Sequence, residues 1–365
     1  MNVESAQVLV TALKERTRIL SEGCHMTLPP GKIPVEILKE VVFKNLGAKR
    51  KEVVIGPSAG IDCSVLEVGD KSIIVSMDPI TGALETIGWL AVNVNANDIA
   101  TFGCEPSFLV SCILLPEKAE EKIVRVISAQ MNEAAKALNV AIVGGHCETT
   151  PGLTNPIVIG CMIGMTEKGK YVTAAGAKPG DFLILTKSVG IEGTAILASD
   201  REAQLKKALS ARVLKNAKKF YKQISIVKDA TSAFRAGGVH AMHDSTEGGV
   251  AGAIHEMADA SKVGVRIQEE KIRIQPETLK ICKIYGIDPL QLIASGSLLI
   301  AADPRCAEKI VNSLREEQID AETIGEFVPS QKERVIRRLD GKTEDLPRPV
   351  TDQLWHALKK RKIPD

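Results

Sequence analysis

Aromatic side chains are scarce in this sequence. Phe, Trp and Tyr together make up 3% of its 365 residues, so the core has to be built from aliphatic side chains. Stacking platforms for single-stranded nucleic acid are therefore not expected. Net charge is small as well, because 47 Lys and Arg against 45 Asp and Glu leave +2. Such a balance does not favour the salt-dependent capture of nucleic acid.

Signals for membranes, secretion and structural zinc are also missing. No run of about 18 apolar residues occurs, and the N-terminus lacks a basic region followed by an apolar stretch. The eight cysteines include no Cys-x-x-Cys pair of the kind that binds structural zinc. We therefore expect reduced thiols and a cytoplasmic protein with no membrane partner.

The common phosphate-binding loops are absent too. No G-x-x-x-x-G-K-[ST] loop occurs, and the segment 56–60 has its glycines without the lysine. A G-x-G-x-x-G after a predicted strand is also missing. Any phosphate binding must therefore use another architecture.

What the sequence contains is typical of a globular protein of two domains. Hydrophobic residues make up 44% and charged residues 25%, and the length fits about two domains. Helical and strand patterns interleave, and a hairpin around Gly69 indicates a mixed or antiparallel sheet rather than a doubly wound one. We predict an α+β fold. Its segments are an N-terminal helix and lid loop (1–33), a first domain (34–172), a second domain (173–340) and a charged tail (341–365).

Three acidic residues fall near the ends of predicted elements in the first domain. Asp62 comes two residues after Gly60, Asp78 follows the predicted strand 72–77, and Asp98 lies on the predicted helix 85–102. Taken singly, each is equally well explained as a cap or turn residue. Together they form a candidate Mg²⁺ site, since this ion binds one or two carboxylates along with phosphate oxygens. Asp98 also ends a polar run containing three asparagines, which is costly to bury without partners.

Two glycine pairs mark further candidate sites. Gly144 and Gly145 follow the predicted strand 140–143 and precede His146 and Glu148, which predicts either a plain turn or a close approach to a ligand. Gly248 and Gly249 follow Asp244 and Thr246 at the start of a predicted helix. Free N–H groups at such a start can bind an anion, although an ordinary helix cap is the alternative.

These segments, taken in order, resemble the superfamily of aminoimidazole-ribonucleotide synthetase, selenophosphate synthetase, thiamine-monophosphate kinase and the hydrogenase maturation dehydratase. The matching stretches are 60–66, 76–78, 97–106, 143–146, 178–181 and 242–249. Each is weak alone, but their order over about residues 30–330 carries the resemblance. Residues 287–290 and 295–297 are most similar to the hydrogenase maturation branch.

The resemblance implies ATP and Mg²⁺ as cofactors and a homodimer joined as a barrel through the N-terminal domains. It implies transfer of the γ-phosphoryl group to an oxygen or similar atom of a small molecule or cofactor precursor, chemistry that depends on positioning and charge neutralisation. The implied metal ligands are Asp62, Asp78 and Asp98. The implied catalytic residues are Asp98, His146 and Asp78. The implied cofactor-binding residues are Lys32, Asp62, Asn97, Gly144, Gly145, Glu148, Asp244, Thr246, Gly248 and Gly249.

The sequence also departs from the family pattern. Ile61 replaces one of two paired aspartates, and His146 stands where a third acidic ligand is common, which leaves the number of metal ions open. The hydrogenase maturation enzyme carries its substrate on a C-terminal cysteine, whereas this sequence ends in Asp365, so we do not expect that reaction. Cys24 lies in the lid loop, and its role stays open. The alternative function is a non-catalytic nucleotide-binding or maturation partner protein, and the acceptor substrate is not determined.

Overall fold

The computed structural model describes Leu28 and residues 31–360. The predicted N-terminal helix, Cys24 and most of the lid loop lie outside the described residues. The first described helix is α1 (Val35–Ile37), which continues as a π-helical turn over Leu38–Val42. It is shorter than the helix to residue 46 that Pro34 predicts.

The first domain is a six-stranded sheet with helices on one face. Its strand order is β1-β2-β3-β6-β4-β5, and only the β4 and β5 pair is parallel. The strands are β1 (Val53–Ile55), β2 (Ser64–Val68), β3 (Lys71–Ile80), β4 (Pro106–Leu115), β5 (Ala141–Thr149) and β6 (Ile157–Glu167). The helices are α2 (Ile87–Thr101) and α3 (Glu121–Ala137). The predicted mixed sheet is confirmed.

Helix α2 is the centre of the molecule. Every residue of α2 except Trp89 is buried, because one side packs on β3 and β6 and the other packs on the second domain. A helix without a solvent-facing side shows no polar stripe, which is why its asparagines stand out in the sequence. Two of its side chains reach across the domain boundary: Trp89 donates to the carbonyl of Tyr221, and Asn97 bonds main-chain groups at 224 and 226.

The second domain is a seven-stranded mixed sheet with order β13-β12-β9-β11-β7-β10-β8. Its strands are β7 (Phe182–Thr186), β8 (Val239–Asp244), β9 (Gly264–Gln268), β10 (Leu298–Ala302), β11 (Ala321–Val328), β12 (Arg334–Arg337) and β13 (Thr343–Asp345). Its helices are α4 (Ile191–Asp200), α5 (Glu202–Leu205), α6 (Ala211–Lys218), α7 (Val227–Ala236), α8 (Gly249–Ser261), α9 (Pro276–Tyr285), α10 (Pro304–Glu316) and α11 (Gln353–Lys359). An α+β arrangement in two domains is thereby confirmed.

Three predicted boundaries were wrong. The single helix predicted over 202–219 is interrupted between α5 and α6, where the Ser210 hydroxyl accepts the Val213 N–H and starts a new helix. Strand β3 continues through Asp78 to Ile80 instead of ending before it. Strand β5 continues through the glycine pair to Thr149, so these glycines lie in a strand and not in a turn.

The described part of the charged tail packs on the second domain. Strand β13 pairs with β12 at the edge of the sheet. Helix α11 buries Leu354 and Ala357 among apolar residues of α4, α6 and α9. Within the described residues, no helix combines the length and apolar character that a membrane crossing requires.

Candidate active site

The cleft between the two domains gathers the acidic residues that the sequence singled out. Asp98, buried on α2, lies 2.5 Å from the hydroxyl of Ser76 through its Oδ2. The same hydroxyl lies 3.1 Å from the main-chain oxygen of Asp62, which precedes β2. A residue on β3 therefore ties the turn before β2 to α2.

Asp78 is held at the same place by an asparagine of α2. Its backbone N–H donates to Asn95 Oδ1 at 2.8 Å, and Asn95 Nδ2 donates back to the Asp78 carbonyl at 3.2 Å. Asn95 also bonds the carbonyl of Ala91, so its amide is well satisfied inside the core. One asparagine of the polar run thus has a structural role, which is to fix β3 against α2.

These carboxylates raise one another's pKa. Burial raises the pKa of Asp98 well above its usual value, and the charges of Asp78, Asp244 and Asp62 add to the effect. Burial likewise raises the pKa of Asp78 to about 6, against the opposing effect of Lys32. Burial also raises the pKa of Asp62, although the charge of His243 opposes this shift. Carboxyl groups crowded in this way favour a bound cation or a proton.

The second domain contributes two residues at the end of β8. His243 Nδ1 lies 3.4 Å from Asp62 Oδ2, and its Nε2 lies 3.2 Å from Glu256 Oε2 on α8. Both oxygens of Asp244 are buried, and neither has a hydrogen-bond partner among the described residues. The neighbouring Ser245 hydroxyl is buried without a partner as well. Unpartnered buried oxygens are expensive, so they indicate a ligand.

The donor set suits a hard divalent cation. Ligand atoms of Asp62, His243 and Asp244 lie within 4.8 Å of one another. Burial lowers the pKa of His243, but Asp62, Asp244 and Glu256 outweigh it and hold that pKa well above the usual value. A protonated imidazole has no free lone pair, so the cluster then offers carboxylate oxygens, the ligands that Mg²⁺ prefers. The residues present fit Mg²⁺.

Lys32 brings a cation to the mouth of the cleft. Its main-chain N–H donates to Glu247 Oε2 at 3.1 Å, which attaches the end of the lid loop to the second domain. Desolvation works against its charge, but Glu256 and Asp62 outweigh that effect and raise the pKa of Lys32. The ammonium in turn helps to lower the pKa of Glu256 to about 2, although burial opposes this. An ammonium in this position can contact a phosphate group.

The glycine pair before α8 has a packing reason. Gly249 has a φ of +62°, and a Cβ there would lie 2.6 Å from the carbonyl oxygens of Leu290 and Leu292. The N–H of Gly248 donates to Asp352 Oδ2 of the tail at 2.6 Å. Thr246 accepts the Gly249 N–H with its main-chain oxygen. A side chain of this protein therefore occupies part of the predicted anion site.

His146 and Glu148 lie away from the cleft residues. Both are exposed on the edge strand β5, where His146 Nε2 is 3.1 Å from Glu148 Oε2. Gly145 lies so close to β4 that a Cβ would meet the carbonyl oxygen of Ser111 at 2.0 Å, and Gly144 has open space around it. The chain does not bring these four residues to Asp62, Asp78 and Asp98.

Asn97 is also engaged elsewhere. Its Nδ2 donates to the carbonyl of Ile224, and its Oδ1 accepts the N–H of Ile226, each at 2.8 Å. Both partners belong to the second domain, so Asn97 joins the domains instead of facing a cofactor. Sequence reasoning assigned no role to Ser76 and Glu256, which complete the cleft. Ser76 stands two residues before Asp78 on one strand, and this spacing could have indicated it.

Comparison with known proteins identifies the family of this chain. The family model for the N-terminal domain of AIR synthase related proteins matches residues 60–166, and the model for the C-terminal domain matches residues 178–338. The chain belongs to the AIR synthase-related family. The predicted superfamily is therefore confirmed, and the relatives below support the predicted hydrogenase maturation branch.

A hydrogenase expression/formation protein of Methanocaldococcus jannaschii is 30% identical over 325 residues, covering 86% of this chain and 92% of that protein. A solved HypE–HypF complex contains a chain of the same fold, with a TM-score of 0.71 and 24% identity over 86% of this chain and 99% of that one. A structure of the hydrogenase maturation protein HypE in complex with ATP has a TM-score of 0.67 and 22% identity. The match covers 90% of this chain and 98% of that one.

Proposed function

We propose that this protein is an ATP- and Mg²⁺-dependent phosphoryl-transfer enzyme that activates an oxygen or similar atom of a small molecule or cofactor precursor. The observation that carries the proposal is the pair of buried Asp244 oxygens in the cleft, which have no hydrogen-bond partner among the described residues. Such oxygens are stable when a cation lies between them. Kinship with a family that includes an ATP-bound member supports the same conclusion.

Each cleft residue has a defined task in this proposal. Asp62, Asp78, Asp98 and Asp244 would hold Mg²⁺, which when bound neutralises phosphate charge. Lys32 would contact the triphosphate from the opposite side. In phosphoryl transfer the protein mainly positions the reactants and stabilises charge, so these carboxylates and the Lys32 ammonium would supply what the reaction needs.

A cavity on the outer face of the first sheet is the proposed nucleoside site. It has a volume of about 410 Å³ and adjoins Asp62. Its apolar lining includes Phe43, Pro57, Ile61 and Met77. Ligand pockets of this size with mostly apolar walls and a few polar groups are typical of nucleotide-sized ligands. Ile61, where the family has an aspartate, would then contact the nucleoside and not the metal.

A second copy of the chain is the proposed partner at this face. Met77 is 61% exposed, Val143 is 57% exposed, and Ile142 and Met165 are also exposed on the same sheet. Among the described residues, strand β5 is the last strand of the sheet and its outer edge is unpaired. Exposed apolar residues beside an open edge are typical of an interface, and dimerisation would cover His146 and Glu148. Met165→Glu should shift the protein from dimer to monomer in analytical ultracentrifugation.

The proposal is tested with the purified full chain, ATP and Mg²⁺. Calorimetry should show Mg²⁺-dependent ATP binding, and phosphate release should be lost in Asp98→Asn and Asp244→Asn. Asp340→Asn, on an exposed turn, is the matched control and should behave as wild type. Tight ATP binding with background turnover for every acceptor would instead identify a non-catalytic nucleotide-binding protein. Copurification of a stable partner would favour a maturation role.

A further inference from the structure

Glu192 is a buried acid that the proposed chemistry does not use. It lies in the first turn of α4 and is 6% exposed. The Ser295 hydroxyl bonds its carboxyl group, but the Oε2 atom is buried and has no hydrogen-bond partner among the described residues. Leaving a carboxylate oxygen in this state costs free energy, so a role outside folding is expected.

The charges around Glu192 strengthen this expectation. Burial raises its pKa to about 7, and the carboxylates of Asp352, Asp244 and Glu247 act in the same direction, against the Ser295 hydrogen bond. No Lys or Arg is among these main influences. Among the described residues, these main influences therefore include no cation of the kind that usually accompanies a buried acid. The Ala294 N–H donates to the Ser245 carbonyl, so Ser295 and the Glu192 carboxyl group that it bonds lie beside the Asp244 end of the proposed ATP cleft.

Glu192 also lines a narrow slot between the two domains. One wall is Leu90 of α2 with the turn at Ala83, and the other is Ala195 and Ile196 of α4. We call this space the interdomain slot. Its remaining polar residues include Glu85 and Asp200, and no Lys or Arg is among the described residues that line it. The slot thus has an apolar body, acidic ends and no site for an anion.

We propose that the interdomain slot is the acceptor subsite, and that the free oxygen of Glu192 accepts a hydrogen bond from an N–H or O–H group of a small uncharged acceptor. This inference rests on the proposed phosphoryl-transfer function and names its substrate class. A buried carboxylate at the end of an apolar slot selects for a donor group, since an acceptor without one leaves Glu192 unpaired. Phosphorylated acceptors are excluded, because the acidic side chains of the slot would repel their negative charge.

The slot has to widen to admit an acceptor. Its cavity volume is about 10 Å³, which holds about one water molecule. The turn at its mouth suits such a movement: Gly82 has open space around it, Ala83 has a φ of +52°, and Leu84 is half exposed. Movement of this turn away from α4 would open the slot without separating the domains at Asn97.

The test uses the full chain and two probes, N-methylacetamide as an uncharged N–H donor and inorganic phosphate as an anion. Saturation-transfer NMR should detect the amide with the ATP analogue and Mg²⁺ present, and a crystal soak should place its nitrogen about 3 Å from Glu192 Oε2. Glu192→Met keeps the bulk and removes the acceptor, so the amide signal should fall at least about tenfold. Glu308→Met, exposed on α10, is the matched control.

Stability separates a binding role from a structural one. Because Glu192→Met removes a buried oxygen that has no hydrogen-bond partner among the described residues, its melting temperature should equal or exceed that of wild type. Should this variant fail to fold, Ser199→Leu narrows the slot at a half-buried position and should abolish the amide signal. The inference is overturned if wild type does not bind the amide in the slot, if Glu192→Met binds it equally, or if phosphate binds there. If the wild-type protein does not bind ATP, that result would instead refute the proposed function.

Discussion

The two walls of the cleft treat their buried polar groups in opposite ways. On the first-domain wall, Asn93, Asn95 and Asn97 of α2 each bond main-chain groups at good distances. On the second-domain wall, Asp244 and Ser245 are equally buried, yet their side-chain oxygens have no partner among the described residues. The comparison separates polar groups that are satisfied within the fold from polar groups that the fold leaves without a hydrogen-bond partner among the described residues. Substitutions on the first-domain wall should therefore reduce stability, whereas substitutions on the second-domain wall should reduce ATP turnover.

The largest expected effect is on the second-domain wall. Asp244→Asn should reduce Mg²⁺-dependent ATP turnover on the order of 10²–10³-fold, because a charge that stabilises the transition state is lost. Unfolding free energy in the absence of metal should change little, since the lost attraction to the His243 imidazole, 3.7 Å from Asp244 Oδ1, is offset by the lost repulsion between Asp244 and Asp62. Steady-state kinetics and urea unfolding measure the two quantities. A large loss of stability without metal would place Asp244 with the structural groups.

On the first-domain wall, Asn97→Ala should destabilise the protein by about 2–4 kcal/mol, because the carbonyl of Ile224 and the N–H of Ile226 lose their partner. Urea unfolding measures the change. Once the variant is folded at low temperature, its affinity for ATP should stay close to that of wild type. An ATP affinity that collapses in the folded variant would show that Asn97 contacts the nucleotide after all.

A smaller effect is expected at the tail. Asp352 accepts the N–H groups of Gly248 and Leu354, so it caps α8 and α11 together. Asp352→Ala should cost about 1–2 kcal/mol in urea unfolding, as the loss of a helix cap does. Asp352→Asn keeps an acceptor and should lose less. Equal losses of stability in both variants would show that Asp352 stabilises the protein through its charge and not through helix capping.

The smallest effect concerns pH. Asp78 has a pKa raised from 3.8 to about 6 in the folded protein, so the folded state binds the proton more tightly than the unfolded state. Stability without metal should therefore fall as pH rises through this window, by a few degrees in melting temperature. Mg²⁺ should reverse the trend, because it binds the ionised form. Asp78→Asn should flatten the slope, and an unchanged slope would assign it to other groups.

Much of the secondary structure could be predicted from local sequence patterns. Helix α9 runs from Pro276 to Tyr285 as predicted, because proline at its first position and Gly286 after its end mark both boundaries. The sequence predicts this strand only to residue 143, because glycine pairs usually end strands. In the structure β5 continues to Thr149, and Gly145 allows close packing on Ser111. Local pattern could not reveal this, since the cause lies on a neighbouring strand.

The candidate site divides in the same way. The acids Asp62, Asp78 and Asp98 were recognisable because carboxylates at element ends suggest a cation site. His146 and Glu148 share one face of a strand, but only the sheet order shows that this strand is an edge away from the cleft. Glu256 and Glu192 resemble ordinary helix residues in the sequence, and their positions beside His243 and Ser295 became visible only in the tertiary structure.

The sequence by itself determined the family, the α+β class and the oxygen-rich chemistry of the site, because motif order and hydrophobic periodicity are local properties of the chain. Only the tertiary structure decided which polar residues are satisfied: Asn97 bonds main-chain groups of the second domain, and the buried oxygens of Asp244 have no hydrogen-bond partner among the described residues. The physical reason is that burial and hydrogen-bond partners come from residues far away in the chain, so their consequences for charge and pKa exist only in the folded protein.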